Sequence, residues 1–278
     1  MKLTSVELHP ANSSETAILS FRDPGRQNSY NVKAIVGLDA DDIVARYYGG
    51  SGNSKFYELS LVRRTIVVRI ALNPKSNENE SYSSLRDGIY KLIASSRTGQ
   101  LQIQFKRNNS IIAAISGFVT KLESPHFNKE QEIQITVVCD EPMLKAPVRT
   151  VISVSSLNTF LVNLQDGSST APHGFIFDLK FLADTASLTM ADPNDDSWSF
   201  VITPSGGFLL DDVLHFSSEY NNKNLYLTRA AVDYHLAETI TPGSIWPILF
   251  PGNNIFAFST PENVEWTKFE YYATYWGV

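Results

Sequence analysis

Between Ser83 and Pro142 the hydrophobic period changes once, from that of a helix to that of a strand, and this narrows the architecture more than any other stretch. Leu85, Ile89, Leu92 and Ile93 fall on one helical face, because residues three and four apart lie one above another. The spacing predicts a helix over about 84–98, with Ser84 and Asp87 as a capping pair and Gly99 as a stop signal. Two strand runs follow, Gln100–Lys106 and Ser110–Ser124, around an Arg107-Asn108-Asn109 turn. A third run alternates cleanly, with Ile133, Ile135, Val137 and Cys139 on one face and Glu132, Gln134 and Thr136 on the other. It stops at Asp140-Glu141-Pro142, where the proline removes a ladder donor. Helix, hairpin, strand and hinge close one domain and launch the next.

The stretches on either side read mostly as strands. Upstream, Thr16–Phe21, Asn31–Leu38, Phe56–Leu61 and Thr65–Leu72 are short and rich in Val, Ile, Tyr and Phe. The Gly49–Gly52 turn, flanked by Arg46-Tyr47-Tyr48 and Lys55-Phe56-Tyr57, reads as the tip of a projecting hairpin. Downstream of a short linker, strands are expected at Val151–Val154, Phe160–Leu164, Phe175–Leu182, Ser197–Ile202, Phe208–Phe216 and Leu225–Thr228. Ile245–Phe250, Ile255–Ser259 and a long final run, Val264–Trp276, complete the set. The chain is therefore expected to be mainly β. An α+β domain over 1–142 with one helix, or a barrel plugged by it, precedes a linker over 143–147 and a β-sandwich over 148–278.

Charge divides at the same place. Residues 1–145 carry 18 Lys+Arg against 15 Asp+Glu, net +3, and residues 146–278 carry 5 against 14, net −9. An acidic half with so few cations is a poor nucleic-acid binder, because phosphate affinity comes mainly from Lys and Arg. No run of about 18 apolar residues exists, so no membrane span is expected, and the acidic Glu7 comes too early for a signal peptide. The single Cys139 excludes an internal disulfide, suits a reducing compartment, and reads as a small buried hydrophobe.

Catalytic and cofactor chemistry has no signature. The histidines, His9, His126, His173, His215 and His235, form no close pair and have no carboxylate at ligand spacing, so no metal site is expected. Asp192-Pro193-Asn194-Asp195-Asp196 lacks the glycine and glutamate of an EF-hand and reads as a solvated turn. The Gly49–Gly52 loop leads into a strand instead of the helix N-terminus that a nucleotide phosphate needs. No nucleophile elbow appears, and Asp211-Asp212 cannot act as a glycosidase pair, because strand neighbours point to opposite faces. Both aspartates read as solvated.

Aromatic residues are the most suggestive remainder. Trp198, Trp246, Trp266 and Trp276 all lie in the second half, with Tyr271, Tyr272 and Tyr275 beside the last two. Large aromatics supply most of the burial in a sandwich core, and this is the first reading. A sugar-stacking platform is the second, with Tyr272 and Trp276 on the mixed face of the last strand as the candidate glycan or partner face.

At this point the chain resembles the distal tail protein (Dit) family of tailed bacteriophages. The resemblance rests on the block Ser83–Pro142, with Gly99–Phe105, Gly117-Phe118-Val119 and Val138–Pro142 in order. It rests also on the ending, Trp246-Pro247-Ile248-Leu249-Phe250-Pro251-Gly252-Asn253-Asn254 and then a strand closing on Tyr275-Trp276-Gly277-Val278. The resemblance implies a virion structural protein at the tail tip, made in the host cytoplasm, with no catalysis and no cofactor. It implies a homohexameric ring of N-terminal domains that joins the tail tube protein to the baseplate hub or tail-associated protein. The C-terminal domain would be a galectin-like or carbohydrate-module-like sandwich outside the ring, available to a receptor-binding protein or a host surface glycan. The exposed aromatics of the glycine-tipped hairpin, Tyr47, Tyr48, Phe56 and Tyr57, are the candidate contacts between subunits. The alternatives are a host-glycan adhesion module and a glycan-cleaving enzyme, the latter needing a carboxylate pair that the sequence does not offer.

Overall fold

The computed structural model describes residues 3–21, 28–39, 43–50, 53–61, 63–95, 99–124, 131–152, 159–164, 169–220 and 222–277. The chain forms two compact units, Met1–Pro147 with Tyr275–Val278, and Val148–Thr274. The first contains β1 (Ser5–Pro10), β2 (Ala17–Ser20), β3 (Tyr30–Val36), β4 (Ile43–Gly50), β5 (Asn53–Leu61) and β6 (Arg64–Leu72). Helix α1 (Tyr82–Ser95) follows, and then β7 (Leu101–Arg107), β8 (Ser110–Glu123), β9 (Glu132–Cys139) and β10 (Leu144–Lys145).

In this unit β8 pairs with β7 along its first half and with β9 along its second. Since β7-β1-β2-β3-β6-β9 are already neighbours in that order, the second pairing closes these strands and β8 into a barrel. Among the described residues the seam is thinnest between β2 and β3, a parallel pair that meets at Ser20 and Asn31. Alternation fills the interior: Val6 and Leu8, Ile66, Val68 and Ile70, Ile103 and Phe105, and Ile133, Ile135, Val137 and Cys139 are all fully buried. Burial also pushes the Cys139 thiol up to about 12, so it stays a neutral apolar group. Leu85, Ile89, Leu92 and Ile93 of α1 enter the same cluster, as their spacing requires.

The helix starts earlier than its apolar residues suggest. Ser81 is the cap: its hydroxyl accepts the Ser84 N–H at 3.0 Å, and the Ser84 hydroxyl accepts the Ser81 N–H at 2.8 Å. The reciprocal pair is thus Ser81 with Ser84, not Ser84 with Asp87. The β7–β8 turn follows its sequence closely, with Asn108 (φ 48°) and Asn109 (φ 68°) both left-handed in a two-residue loop. Gly117 is required where β8 bends from β7 to β9, because a Cβ there would lie 2.5 Å from the Val138 carbonyl oxygen.

The second unit contains β11 (Thr150–Val151), β12 (Thr159–Asn163), β13 (Phe175–Phe181), β14 (Leu188–Asp192) and β15 (Asp195–Ile202). It continues with β16 (Val213–Ser217), β17 (Asn224–Arg229), β18 (Val232–His235), β19 (Asn253–Phe258) and β20 (Val264–Tyr271). They form a sandwich of antiparallel sheets, one of six strands, β11-β20-β13-β16-β17-β18, and one of four, β12-β19-β14-β15. Phenylalanines from the two inner faces meet between the sheets, as in Phe175–Phe256 (5.2 Å between centroids) and Phe200–Phe216 (5.3 Å).

Several sequence expectations change here. The stretch 143–147 is no free linker, since β10 pairs with β8 and Leu144 is buried in the barrel core. The final run is not one strand: it breaks after Tyr271, and β21 (Thr274–Tyr275) joins the barrel sheet, so the last residues leave the sandwich for the first unit. Ile245–Phe250 is an extended segment and not a ladder strand: it meets the sandwich through the Ile245 N–H on the Ser199 carbonyl and a bridge between Leu249 and His173, because Pro247 and Pro251 interrupt any ladder. Phe208–Phe216 is divided by a turn through Asp211 (φ 67°). Strand β18 has no signal in the sequence, because its turn, Ala230-Ala231, carries none of the usual turn residues although both are left-handed (φ 48° and 63°).

Candidate functional site

The structure separates the residues that sequence reasoning singled out. In the first unit β4 and β5 form a two-stranded hairpin of their own, with Tyr47 opposite Phe56 and Tyr48 opposite Lys55. Tyr57 falls at a register shift between them. The tip, residues 51–52, and the side chains of all four candidate contacts lie outside the described residues. Tyr272 and Trp276 share no strand face. Tyr272 belongs to the sandwich unit, with the Arg149 guanidinium 4.6 Å above its ring. Trp276 belongs to the barrel unit, where its carbonyl accepts a hydrogen bond from Arg64 at 2.7 Å.

The tryptophans are largely used internally. Trp266 is 7% exposed and packs on Phe160, Phe177, Phe258 and Phe269. Trp246 lies 5.1 Å from both Phe200 and Phe216, and Trp198 meets Phe256 edge-on.

Three buried polar nodes escaped the sequence. Arg64, interior to the barrel sheet, donates to the carbonyls of Leu38 and Trp276 and so ties the chain's return segment to the barrel. In the sandwich Asp212 is only 2% exposed and is clamped by Arg229, with Nη2 to Oδ2 at 2.6 Å and Nε to Oδ1 at 2.9 Å. Burial works to raise its carboxyl pKa, but the Arg229 and Leu209 N–H bonds hold it below the usual range. It is not the solvated charge expected of it, because its partner lies in another strand, invisible to local pattern.

His173 is the third node. Its Nδ1 faces the Ala171 carbonyl at 3.1 Å, the Ser169 hydroxyl at 3.2 Å and the Thr274 hydroxyl at 3.3 Å, while its buried Nε2 meets no partner among the described residues. Burial lowers its pKa to about 4, so it is neutral near pH 7. A serine beside a histidine invites comparison with an acyl-transfer pair. Here the Ser169 hydroxyl donates to the Thr274 carbonyl at 2.8 Å and both side chains are buried, so the contact is structural.

The open surface of the six-stranded sheet carries a transverse row. Lys268, Asp178, His215, Tyr226 and His235 stand opposite one another on β20, β13, β16, β17 and β18. His215 Nδ1 is 2.8 Å from Asp178 Oδ1, and its ring stacks on Tyr226 at 4.4 Å. Burial, followed by the Asp178 and Asp233 carboxylates, raises the Tyr226 phenol pKa. Such a row offers hydrogen-bond donors and acceptors to a flat partner. Asp192 and Asn194 form a simple hairpin turn, with the Asn194 N–H donating to Asp192 Oδ1 at 2.8 Å. No cluster of three metal-ligating side chains occurs among the described residues. None of their helices is long and apolar enough to cross a membrane.

No family model matches the chain, and no curated protein matches its sequence. Among solved structures it is similar to the Dit protein of phage SPP1, at a TM-score of 0.58 and 14% identity over 90% of this chain and 95% of that one. That protein is described as a paradigm of the hub adsorption apparatus in phages infecting Gram-positive bacteria. Two structures of the phage P2 baseplate in its activated conformation also match, at 7% identity. The one with Ca has a TM-score of 0.43 over 97% of both chains, and the one with Sr 0.40 over 96% of this chain and 97% of that one. The barrel with its one packed helix and the aromatic sandwich have the fold of the SPP1 Dit protein.

Proposed function

We propose that the chain is a structural protein of a phage tail tip, without catalytic activity, that resides in the virion after synthesis in the host cytoplasm. Six copies form a closed ring that continues the tail tube and joins it to the baseplate hub and the host-adsorption apparatus. The observation that carries this reading is the fold shared with the SPP1 Dit protein over nine-tenths of the chain. In such a ring one face of each subunit binds a different face of the next, so the two contact surfaces need not resemble each other. The β4–β5 hairpin, through Tyr47, Tyr48, Phe56 and Tyr57, supplies one of them. Tail tube protein, hub or tail-associated protein and receptor-binding protein are the partners this role requires. A host-glycan role for the sandwich has less support, because Trp266 is buried and Trp198 and Trp246 pack on core phenylalanines.

Native mass by light scattering, with negative-stain images of the same fraction, tests the reading. Six copies of the 31.0 kDa chain give 186 kDa and a six-fold ring with a central hole. A 31.0 kDa monomer that forms no ring even when co-expressed with its tail tube protein would overturn it. Replacing Tyr48 and Phe56 by serine is expected to abolish the ring while leaving the circular dichroism of the monomer unchanged. An intact ring in that variant removes the hairpin from the interface.

A further inference from the structure

We infer that β18 is an interaction edge that pairs with β18 of a second copy, joining two six-stranded sheets about a two-fold axis. The inference concerns the sandwich unit alone and stands whether or not the barrels form a ring.

The backbone of the β17–β18 hairpin sets the geometry. Ala230 and Ala231 are both left-handed, so the loop is a two-residue type I′ turn and Arg229 with Val232 form the closing hydrogen-bonded pair. Bonding then alternates: Val232 and Tyr234 face β17, and the Leu236 N–H continues the series to the Leu225 carbonyl at 3.0 Å. The peptide groups of Asp233 and His235 therefore point away from the sheet, and the strand order ends at β18.

All four residues of β18 are exposed, and the strand contains no lysine, proline or bulge of the kind that usually guards an edge. The outer edge of β15, by contrast, is already covered. The N–H groups of Thr241 and Ile245 donate to the carbonyls of Val201 and Ser199, and the Ser244 hydroxyl accepts the Val201 N–H. Val232 and Tyr234, 52% and 48% exposed, lie on the same face as buried Leu227, where the four-stranded sheet no longer covers the six-stranded one.

Self-complementarity identifies the occupant as a second copy. In an antiparallel pairing with the axis at Tyr234, the outward peptide groups of Asp233 meet those of the second copy's His235, and the reverse pair forms by symmetry. Each carboxylate then stands beside an imidazole, and Tyr234 faces its symmetry mate. The two adjacent registers that also use the outward groups would set Asp233 against Asp233 or His235 against His235, so only one register brings unlike side chains together. Asp233 is positioned for this on the open face, its Oδ1 accepting the Thr228 hydroxyl at 2.6 Å.

Sedimentation of the full chain over a range of concentrations, with charge-reversal variants, tests the pairing. The wild-type protein is expected to double its mass as concentration rises, from 31.0 kDa for a monomer or as a pair of rings if rings form. H235E should weaken the doubling about tenfold, because two carboxylates then oppose each other at two symmetric sites, D233K should weaken it by removing both carboxylates from the imidazoles, and D233K/H235E should restore it with the pair reversed. Y234C should cross-link into a dimer on mild oxidation, since directly opposite Cβ atoms in a strand pair approach to about 4.5–5.5 Å and the native Cys139 is buried. Concentration-independent mass together with no Y234C cross-link overturns the inference, as does a double reversal that fails to restore doubling. Ring formation is read separately, from the six-fold mass, so failure of one reading leaves the other's test intact.

Discussion

The two units solve the same burial problem with different side chains. The barrel interior is aliphatic, with Phe105 as its one buried phenylalanine among the described residues, whereas ten are buried in the sandwich, from Phe160 to Phe269. A small barrel brings its walls close together, so β-branched and leucine side chains fill it and a single amphipathic helix adds the remainder. Sheets stacked about 10 Å apart leave a slab that suits rings, and these pack in tilted, stacked and edge-on pairs. Polar burial differs as well. The barrel places one guanidinium, Arg64, on backbone carbonyls, whereas the sandwich buries a carboxylate–guanidinium clamp and a neutral imidazole. A chain can thus build two cores of comparable order from distinct alphabets, and each should fail by its own route.

The most direct way to break the comparison is to remove one side chain from each core. Phe177→Ala deletes a ring in contact with Phe175, Phe216, Phe258 and Trp266, and should cost the sandwich about 3–5 kcal/mol. Ile135→Ala should cost the barrel about 2–4 kcal/mol. Urea unfolding followed by tryptophan fluorescence, which reports mainly on the sandwich, should shift strongly for the first variant and little for the second. Equal shifts would mean that the units unfold as one and that the contrast has no energetic content.

Acid offers the next largest lever. The folded pKa of His173, about 4, lies below its ordinary 6.5, so as pH falls the unfolded chain takes up the proton first. Stability of the sandwich should therefore drop by about 3 kcal/mol between pH 6.5 and 4, and His173→Asn should flatten that slope. The barrel's Glu7 is opposed by burial but held low by Lys106 and His9, so its contribution is lost only below its usual 4.5. A barrel transition that weakens as early as the sandwich one would contradict this order.

Arg229→Met strips the clamp from a carboxylate that remains buried, and a loss of about 2–3 kcal/mol is expected in the same urea assay. The effect should shrink when Asp212 is also replaced by leucine, because the uncompensated charge is then gone. The smallest expected effect has the opposite sign. Ala231→Gly relieves a left-handed alanine and should stabilise the sandwich by about 1 kcal/mol without altering the barrel, a gain visible as a small rise in its thermal midpoint. A loss there would mean that the turn is shaped by something other than local strain.

Much of the local structure could be read before any coordinates. The faces of α1 and β9, the Asn108-Asn109 turn, the aromatic sandwich core and the pairing of β4 with β5 all follow from period and turn chemistry, which act over a few residues. The candidate interface was legible only in part, since aromatic content marks the hairpin but says nothing of its neighbours. Tyr272 and Trp276 looked like one face because alternation was extended through a strand that in fact breaks after Tyr271. By itself the sequence determined which residues would be buried in its most periodic elements, and that the chain would be two β-rich units of different charge. Tertiary structure alone decided that β9 returns to β8 to close a barrel, that the last residues leave the sandwich to meet Arg64, and that Asp212 is buried. Each of these joins residues or strands through partners that no local repeat announces. Pairing energy is released only after the intervening chain has been ordered, so it leaves no periodic trace in either partner alone.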